Sequence, residues 1–499
     1  MRDPVDTAGP VGRAPGGPGR DVVIVGGGTA GTSVLLHLVR ELADRPPGRV
    51  RSVRVVDPCP AGWGLAFGER DPLLLCNSAA DVNSLLADRP GDFVDHLRGR
   101  GWSGSGEDCV PRVRMAEYCA DRFHRACEQA AALGVTVHQI PAAALSVGTG
   151  PGGPRVRLST GEELRADAVV VATGVRRPRV PDGFAPFVAH PRYLDSPYPA
   201  ARVRRRLRPA SRVLVLGSRQ SAVDAALLLC RDGHRVTLTS PSGTLPAVRV
   251  SLGAPARSFP SLERVARLDP ADPLLEERLV RSVVEAVRLL SPLPLRRQVS
   301  RADDPLTRLR EETALLEAGA CAWPGAMVPL IEAFIELGAA LDERRRAAVL
   351  DRFGWFTGRY VTAMTVVNAR RLLAHADTGL LRVAPSYPRS VAFEGGRWRV
   401  AGAAPGDHGA YDHVVNATGF HPPTLCRSAT GEALLLTDGP GPPGAACRLG
   451  DGLRVRRDAR SAPEPVWVVG VGTHVRIPFA NHLRSVVRQA RRVAGELAG

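Results

Sequence analysis

A glycine turn set between an apolar strand and a helical stretch constrains this chain more than any other feature. Asp21–Val25 (DVVIV) has the length and β-branching of a strand buried in a parallel sheet. Gly26-Gly27-Gly28-Thr29-Ala30-Gly31 follows, and a helical pattern runs from Thr32 to about Ala43. A polar turn at 44–52 leads to a second strand, Val53–Val56, which ends in Asp57. This order is a βαβ opening, and it commits the chain to a layered α/β fold. Glycine at 26 permits the tight turn, at 28 the close approach of a pyrophosphate, and at 31 close helix packing. The helix N-terminus then faces the phosphates, and the Asp57 carboxylate is placed to accept from ribose hydroxyls. A dinucleotide is therefore expected on Gly26, Gly28, Thr29, Ala30, Gly31 and Asp57.

A second unit begins near Arg212. Val213–Leu216 reads as a strand, Gln220–Arg231 as a helix and Arg235–Thr239 as the next strand. Its turn is Gly217-Ser218-Arg219-Gln220-Ser221-Ala222, with arginine where backbone should approach phosphate. The Arg219 side chain either crowds a pyrophosphate or reaches a phosphate or adenine with its guanidinium. A nicotinamide dinucleotide is expected here. Ser240-Pro241-Ser242 offers no arginine for a 2′-phosphate, so NADPH and NADH both stay open. Arg219, Arg235 and Arg249 are candidates for that phosphate only by proximity along the chain.

Two segments share the ending D-x4-ATG, Asp167–Gly174 and Asp412–Gly419, the second with Asn416 before its alanine. Residues 270–380 are mainly helical by periodicity, broken by Pro292, Pro294 and Pro324. Strand signals return at Leu381–Val383 and Trp398–Val400, and the chain closes with a strand (Val466–Val469), a glycine turn and a helix from about Asn481 to Leu497. The expected fold is α/β: two doubly wound Rossmann-type dinucleotide-binding domains, the second inserted in the first, plus a helical cover. The first domain takes 21–200 and 390–499, the second 205–270, and the cover 270–385. Residues 1–20, rich in Gly and Pro without an apolar core, read as a disordered tail.

Composition excludes whole classes of chemistry. All 66 basic residues are arginine, so no Schiff base or P-loop lysine exists. The net charge of +16 is scattered, without the patch and module that nucleic-acid binding needs. Nine cysteines, an odd count without a CxxC pair, fit a reduced cytoplasmic protein with no disulfide framework and no metal site. No run of 18 apolar residues predicts a membrane helix. No G-x-S-x-G occurs, and no cysteine has a companion motif for nucleophilic catalysis.

Four stretches carry a family resemblance. They are Gly62-Trp63-Gly64-Leu65-Ala66 through Leu75-Cys76-Asn77 to Pro90-Gly91-Asp92-Phe93, then Pro111-Arg112-Val113-Arg114-Met115-Ala116-Glu117-Tyr118, then Gly217-Ser218-Arg219-Gln220-Ser221-Ala222, and finally Asn416-Ala417-Thr418-Gly419-Phe420. Together they resemble the two-dinucleotide flavoproteins, and among these the bacterial N-hydroxylating monooxygenases acting on ornithine, lysine or aspartate amines. Arginine at 219 departs from the family's glycine. The resemblance implies FAD on the first unit, with Gly64, Asn77, Arg112, Thr173 and Gly470 around it, and NADPH or NADH on Gly217, Ser218, Arg219, Gln220 and Ser221.

It further implies hydroxylation of the primary amine of an amino acid with molecular oxygen, through a C4a-hydroperoxyflavin, in a bacterial biosynthetic pathway. The arginine excess favours an anionic substrate of the aspartate type, leading toward a nitroso or nitro product. Hydroxylation of a heterocycle, NAD(P)H oxidase or reductase activity, and a non-catalytic flavin-binding role remain open alternatives. In the closing segment His482, Arg476 and Asn481 are the catalytic candidates, with His474 beside them; a structural histidine and a surface arginine are the plain alternatives. Arg359, Tyr360 and Asn368 in the helical middle are the substrate candidates, against the plain reading of an aromatic core. A homo-oligomer is implied by the resemblance alone.

Overall fold

The computed structural model describes residues 19–150, 152–255, 257–431, 433–438, 446–458 and 460–499. The expected tail at 1–18 lies outside the described residues, and Arg20 already belongs to the first strand.

Along the chain the framework is β1 (Arg20–Val25), α1 (Thr29–Ala43), β2 (Val50–Val56), α2 (Arg112–Ala132), β3 (Thr136–Ile140) and β4 (Ala168–Val171). Next come β5 (Tyr193–Leu194), β6 (Arg212–Leu216), α3 (Gln220–Arg231), β7 (Arg235–Thr239), β8 (Leu381–Val383) and β9 (His413–Asn416). The chain ends with β10 (Val466–Val468) and α4 (Leu483–Ala498). Two five-stranded sheets result, in the orders β10-β4-β1-β2-β3 and β8-β7-β6-β9-β5. Every pairing within them is parallel.

The apolar runs of β1 and β6 follow from burial on both faces. Val22 and Ile24 pack with Val34, Leu35 and Leu38 of α1 and with Val486 and Val493 of α4. Val23 and Val25 point the other way, into a core shared with Val147, Val156 and Leu434. Those residues belong to a five-stranded antiparallel sheet built from 144–165 and 423–438. In the second unit Val213 and Val215 pack with α3, while Leu214 and Leu216 pack with Trp398 and Tyr411 of a three-stranded antiparallel sheet. The expected Rossmann-type sheets are thus present, each with helices on one face and antiparallel strands on the other. The docking of α4 on α1 completes the first unit with the end of the chain, as an inserted second unit requires.

The boundaries of the second unit differ from the expected 205–270. It takes β5 from before that range and β8 and β9 from after it. The Asp412–Gly419 segment, expected in the first domain, closes the second sheet beside β6. The reason is local and identical in both units. The Asp21 N–H donates to the Asp167 carboxylate at 2.7 Å, and the Arg212 N–H to the Asp412 carboxylate at 2.8 Å. A Cβ on Gly26 would lie 2.5 Å from the Ala172 carbonyl oxygen, and one on Gly217 would lie 2.5 Å from that of Ala417. Each D-x4-ATG strand is therefore the neighbour of its own glycine-turn strand.

Between the units stands a helical cover whose main elements are Leu275–Leu290, Pro305–Glu317, Met327–Ala340 and Glu343–Arg352. Pro292 and Pro294 follow the end of the first of these, and Pro324 opens a short 3-10 turn. The helix Val366–Asp377, placed in the cover by its periodicity, packs against α3 and β8 in the second unit.

A buried ion pair joins the units. The Arg112 guanidinium, on α2, donates to the Tyr198 hydroxyl at 3.2 Å and pairs with Asp224 of α3 at 2.6 Å. The Asp224 side chain is 1% exposed. Removing one member of such a pair leaves the other charge buried alone. Asp224→Asn is expected to destabilise the protein by about 3 kcal/mol, measured as a lower midpoint in urea unfolding.

Candidate active site

The first glycine turn separates what the protein needs for itself from what it leaves open. Gly26 has φ +107°, a conformation that side chains avoid. A Cβ on Gly31 would overlap the Gly26 carbonyl oxygen. Packing within the chain thus fixes both glycines. A Cβ on Gly28 would meet nothing within 4 Å, so packing within the chain does not require glycine there. Gly28 is also the N-cap of α1 and offers no side-chain cap, leaving the first helical N–H groups, on Thr29, Ala30 and Gly31, free to face a phosphate. The Asp57 carboxylate accepts the Gly27 N–H at 2.7 Å and the Cys59 N–H at 2.8 Å, which ties the end of β2 to the turn.

The surroundings continue this cradle. The Gly62 N–H donates to the Gly27 carbonyl at 2.8 Å, and a Cβ on Gly64 would sit 3.8 Å from Gly28 Cα. Thr173, at the carboxyl end of β4, has a buried hydroxyl with no partner among the described residues. Gly470 (φ +77°) donates its N–H to Gln489 at 2.9 Å and brings the closing turn within contact of Ala30. An open face at Gly28 and an orphaned hydroxyl at Thr173 fit a bound dinucleotide such as FAD.

The second turn is closed differently. Ser218 is buried, and Ala222 is buried in α3. Arg219 caps α3, is exposed, and lies against the backbone of Gly358 in the cover, with no ion-pair partner among the described residues. Arg235 is the first residue of β7, at the end of the strand opposite to the one where ligands bind in such sheets. Arg249 is buried with its guanidinium bonded to backbone carbonyls, so of the three arginines named for a 2′-phosphate only Arg219 lies in the second turn and is exposed.

Three side chains converge on the Val361–Ala363 strip. The Asn77 amide donates to the Ala363 carbonyl at 3.1 Å. The Gln220 amide donates to Thr362 at 2.8 Å and to Ala363 at 3.2 Å. Arg249 donates to Val361 at 3.2 Å and to the Asn77 carbonyl at 3.1 Å. Asn77 comes from the first unit, Gln220 from the start of α3, and the strip from the end of the cover. Nothing in the sequence pointed to this meeting, because each bond is to backbone far away in the chain.

Several sequence candidates take other roles. Arg112, expected beside the flavin, is held by Leu75, Tyr198 and Asp224 in the contact between units. Arg359, expected to bind a substrate carboxylate, is buried in an ion pair with Glu312 and also donates to the Leu245 carbonyl at 2.7 Å. Its charge is already compensated. Tyr360 contacts the rings of Trp323, Trp355 and Phe356 and, with Trp323 and Phe356, lines an apolar cavity of about 200 Å³ within the cover. Asn368 is buried, with an unpartnered Oδ1. Arg476 is tied to Asp451 and to the Leu449 carbonyl, and Asn481 is exposed. His474 Nδ1 lies 3.1 Å from the Val471 carbonyl. His482 Nδ1 is buried without a partner, and burial, with Arg488 and Arg484 nearby, pushes its pKa down to about 4. His482 is therefore neutral at neutral pH and too weak a base to hold a proton there.

Residues 23–176 match the FAD-NAD(P)-binding family model. No curated protein matches the chain in sequence. The ornithine hydroxylase of Pseudomonas aeruginosa superposes with a TM-score of 0.57 at 15% identity, over 96% of this chain and 99% of that one. The ornithine N-hydroxylase of Kutzneria sp. 744, solved with reduced FAD, NADP+ and L-ornithine, gives 0.56 at 15% identity over 96% and 99%. A lysine monooxygenase from Nocardia farcinica gives 0.51 at 14% identity over 95% and 99%. The chain thus shares the fold of these hydroxylases and monooxygenase along nearly its whole length, and residues 23–176 of its first unit match the FAD-NAD(P)-binding model. Among the described residues no helix is long and apolar enough to cross a membrane, and no cluster of His, Cys, Asp or Glu is placed to hold a metal.

Two outcomes follow. Gly28→Ala is expected to leave the stability of the FAD-free protein within about 0.5 kcal/mol of the parent and to abolish FAD retention, whereas Gly31→Ala lowers stability itself. Absorbance at 450 nm and urea unfolding of both variants check this. The second outcome concerns acid. His37, His413 and His482 are each pushed down to about 4, with burial as the first cause. The unfolded chain binds those protons near pH 6.5, so stability is full above that pH and falls as pH drops from 6.5 toward 4. Melting temperatures across pH 8 to 4 should show this decline, shallower in His482→Gln.

Proposed function

We propose that this chain is an FAD- and NAD(P)H-dependent monooxygenase that hydroxylates the primary amine of an amino acid. The observation that carries the reading is the junction at Val361–Ala363, where the flavin-side segment (Asn77), the nicotinamide-side turn (Gln220) and the cover meet. In a pair of Rossmann-type units the reactive ends of two dinucleotides approach each other between the carboxyl ends of the sheets. The fold shared with ornithine and lysine hydroxylases supports the same reading.

FAD and NAD(P)H would supply the redox chemistry: two electrons from the nicotinamide and one oxygen atom from O2 convert the amine to a hydroxylamine, and the second oxygen atom leaves as water. The chain's own residues bind, orient and exclude. Gly28 and the first N–H groups of α1 hold the pyrophosphate. Gly217, Ser218, Gln220 and Ser221 shape the second turn, and Arg219 presents a free charge to the anionic cofactor beside it. The buried Asn77 Oδ1, without a donor among the described residues, is left to accept from an N–H of a ligand at the junction. The aromatic group around Tyr360 walls that side of the cover against water. No side-chain nucleophile is needed. His482, neutral in its buried setting, orients rather than transfers protons.

The test is NADPH oxidation by the FAD-loaded protein in air across amino acids and diamines, with peroxide and oxidised nitrogen quantified together. One amine should give hydroxylamine, nitroso or nitrite product in step with NADPH consumed. Peroxide alone would point to an oxidase or to a different substrate class such as a heterocycle. Failure of both NADPH and NADH to reduce the flavin would mean that Arg219 closes the second site and that the protein binds flavin without turnover.

A further inference from the structure

Arg249 stands apart from the other buried arginines. Arg112 pairs with Asp224, Arg122 with Asp92 and Arg359 with Glu312. Arg249 is 1% exposed, yet no carboxylate lies within 4.0 Å of it among the described residues. Its only hydrogen-bond partners there are the carbonyls of Val361 and Asn77, and its Nε has none. Burial holds its pKa down at about 10, so it remains a cation at neutral pH. A buried charge without a counter-charge is strongly disfavoured. The Cys109 thiol, the titratable group that acts on Arg249, is kept neutral by burial, which pushes its pKa up to about 12, so the two carbonyl dipoles offset only part of that penalty.

The location is equally specific. Arg249 pairs across a two-stranded ladder with Thr365, whose hydroxyl caps the helix carrying Asn368. It contacts the Asn77 backbone directly, and both Asn77 and Asn368 keep a buried Oδ1 without a donor. The neighbouring Asn77, Gln220 and Thr362 are half-buried, so the junction reaches solvent. A cation without a counter-charge, in contact with the Asn77 backbone whose side-chain Oδ1 has no donor among the described residues, is complementary to a molecule bearing a carboxylate and an amine.

We propose that Arg249 is the carboxylate-binding residue of the reaction centre, and that the substrate is an amino acid anchored by an ion pair to this guanidinium with its amine toward Asn77. The proposal rests on the monooxygenase reading above and deepens it by assigning the anchor. The planar guanidinium suits a carboxylate, which it can meet with two parallel N–H donors. The segment that follows Arg249 is held by a bond from the Ala79 N–H to Leu252 and one from the Ala254 N–H to Asp81, while the half-buried Asn77, Gln220 and Thr362 border the open side.

The experiment measures binding without turnover. FAD-loaded protein, with no NADPH, is titrated by calorimetry and flavin absorbance with L-aspartate, L-glutamate and L-ornithine, and with putrescine and cadaverine as amines lacking a carboxylate. The wild type is expected to bind at least one amino acid. Arg249→Gln should weaken that binding at least tenfold and Arg249→Lys by less, with putrescine and cadaverine unaffected. The melting temperature of substrate-free Arg249→Gln should be unchanged or higher, because an uncompensated charge has gone. If Arg249→Gln does not fold, Arg249→Lys carries the comparison.

Amino-acid binding within twofold of wild type in the variants overturns the proposal. So does wild-type binding of the carboxylate-free amines as tight as that of amino acids. A changed flavin reduction potential in Arg249→Gln with amino-acid binding intact would assign the charge to the reduced flavin instead, and also overturns it. An amino acid that binds through Arg249 without being oxygenated would sink the monooxygenase reading while leaving the anchor in place.

Discussion

The contact on which the rest of this structure depends is the approach of a glycine to an alanine carbonyl, made twice. At Gly26 against Ala172 and at Gly217 against Ala417, the first residue of the phosphate turn sits where any side chain would strike the end of the neighbouring strand. The same strand sends a carboxylate, from Asp167 or Asp412, to the first N–H groups of the turn-bearing strand. Each turn is thereby held at both ends of one strand pair, and the helix that follows starts in a fixed direction. Everything a dinucleotide would touch on that side, from the open face of Gly28 to the orphaned hydroxyl of Thr173, is positioned by this pairing.

The two units are then locked together by charge. Arg112 and Asp224 are buried against each other with Tyr198, and Arg231 on α3 reaches back to Asp71 of the first unit. This chain makes every such contact with arginine, since it has no lysine. The guanidinium fork suits the task, because it can donate to a carboxylate and to a backbone carbonyl at once, which a single ammonium does less well. Arg359 does this with Glu312 and Leu245. Arg249 uses the same fork on two carbonyls, and no acid among the described residues joins them.

Much of the framework was legible in the sequence. The helix at Gln220–Arg231 and the strand at Arg235–Thr239 fall where their periodicity places them, and the two glycine turns announce their units. The site was legible only in part. Gly26, Gly28 and Gly31 are local features, and the need for glycine at 26 and 31 follows from backbone geometry. Arg112, Arg359 and Arg476 look like free cations in a sequence, and a partner far away in the chain claims each of them. The ownership of the second D-x4-ATG strand was not legible either. Its composition matches the first, and only hydrogen bonding to β6 decides which sheet it joins.

By itself the sequence determined the two glycine turns, the strands and helices that carry them, and the absence of lysine chemistry. These are properties of neighbouring residues: steric freedom at glycine, apolar periodicity, and the identity of side chains. Tertiary structure alone decided which cations are neutralised and which are not. Charge compensation depends on distances between residues far apart in the chain, such as Arg112 with Asp224 or Arg231 with Asp71. No spacing along the chain encodes such a distance, so Arg249 became distinctive only when the fold buried it without an acid.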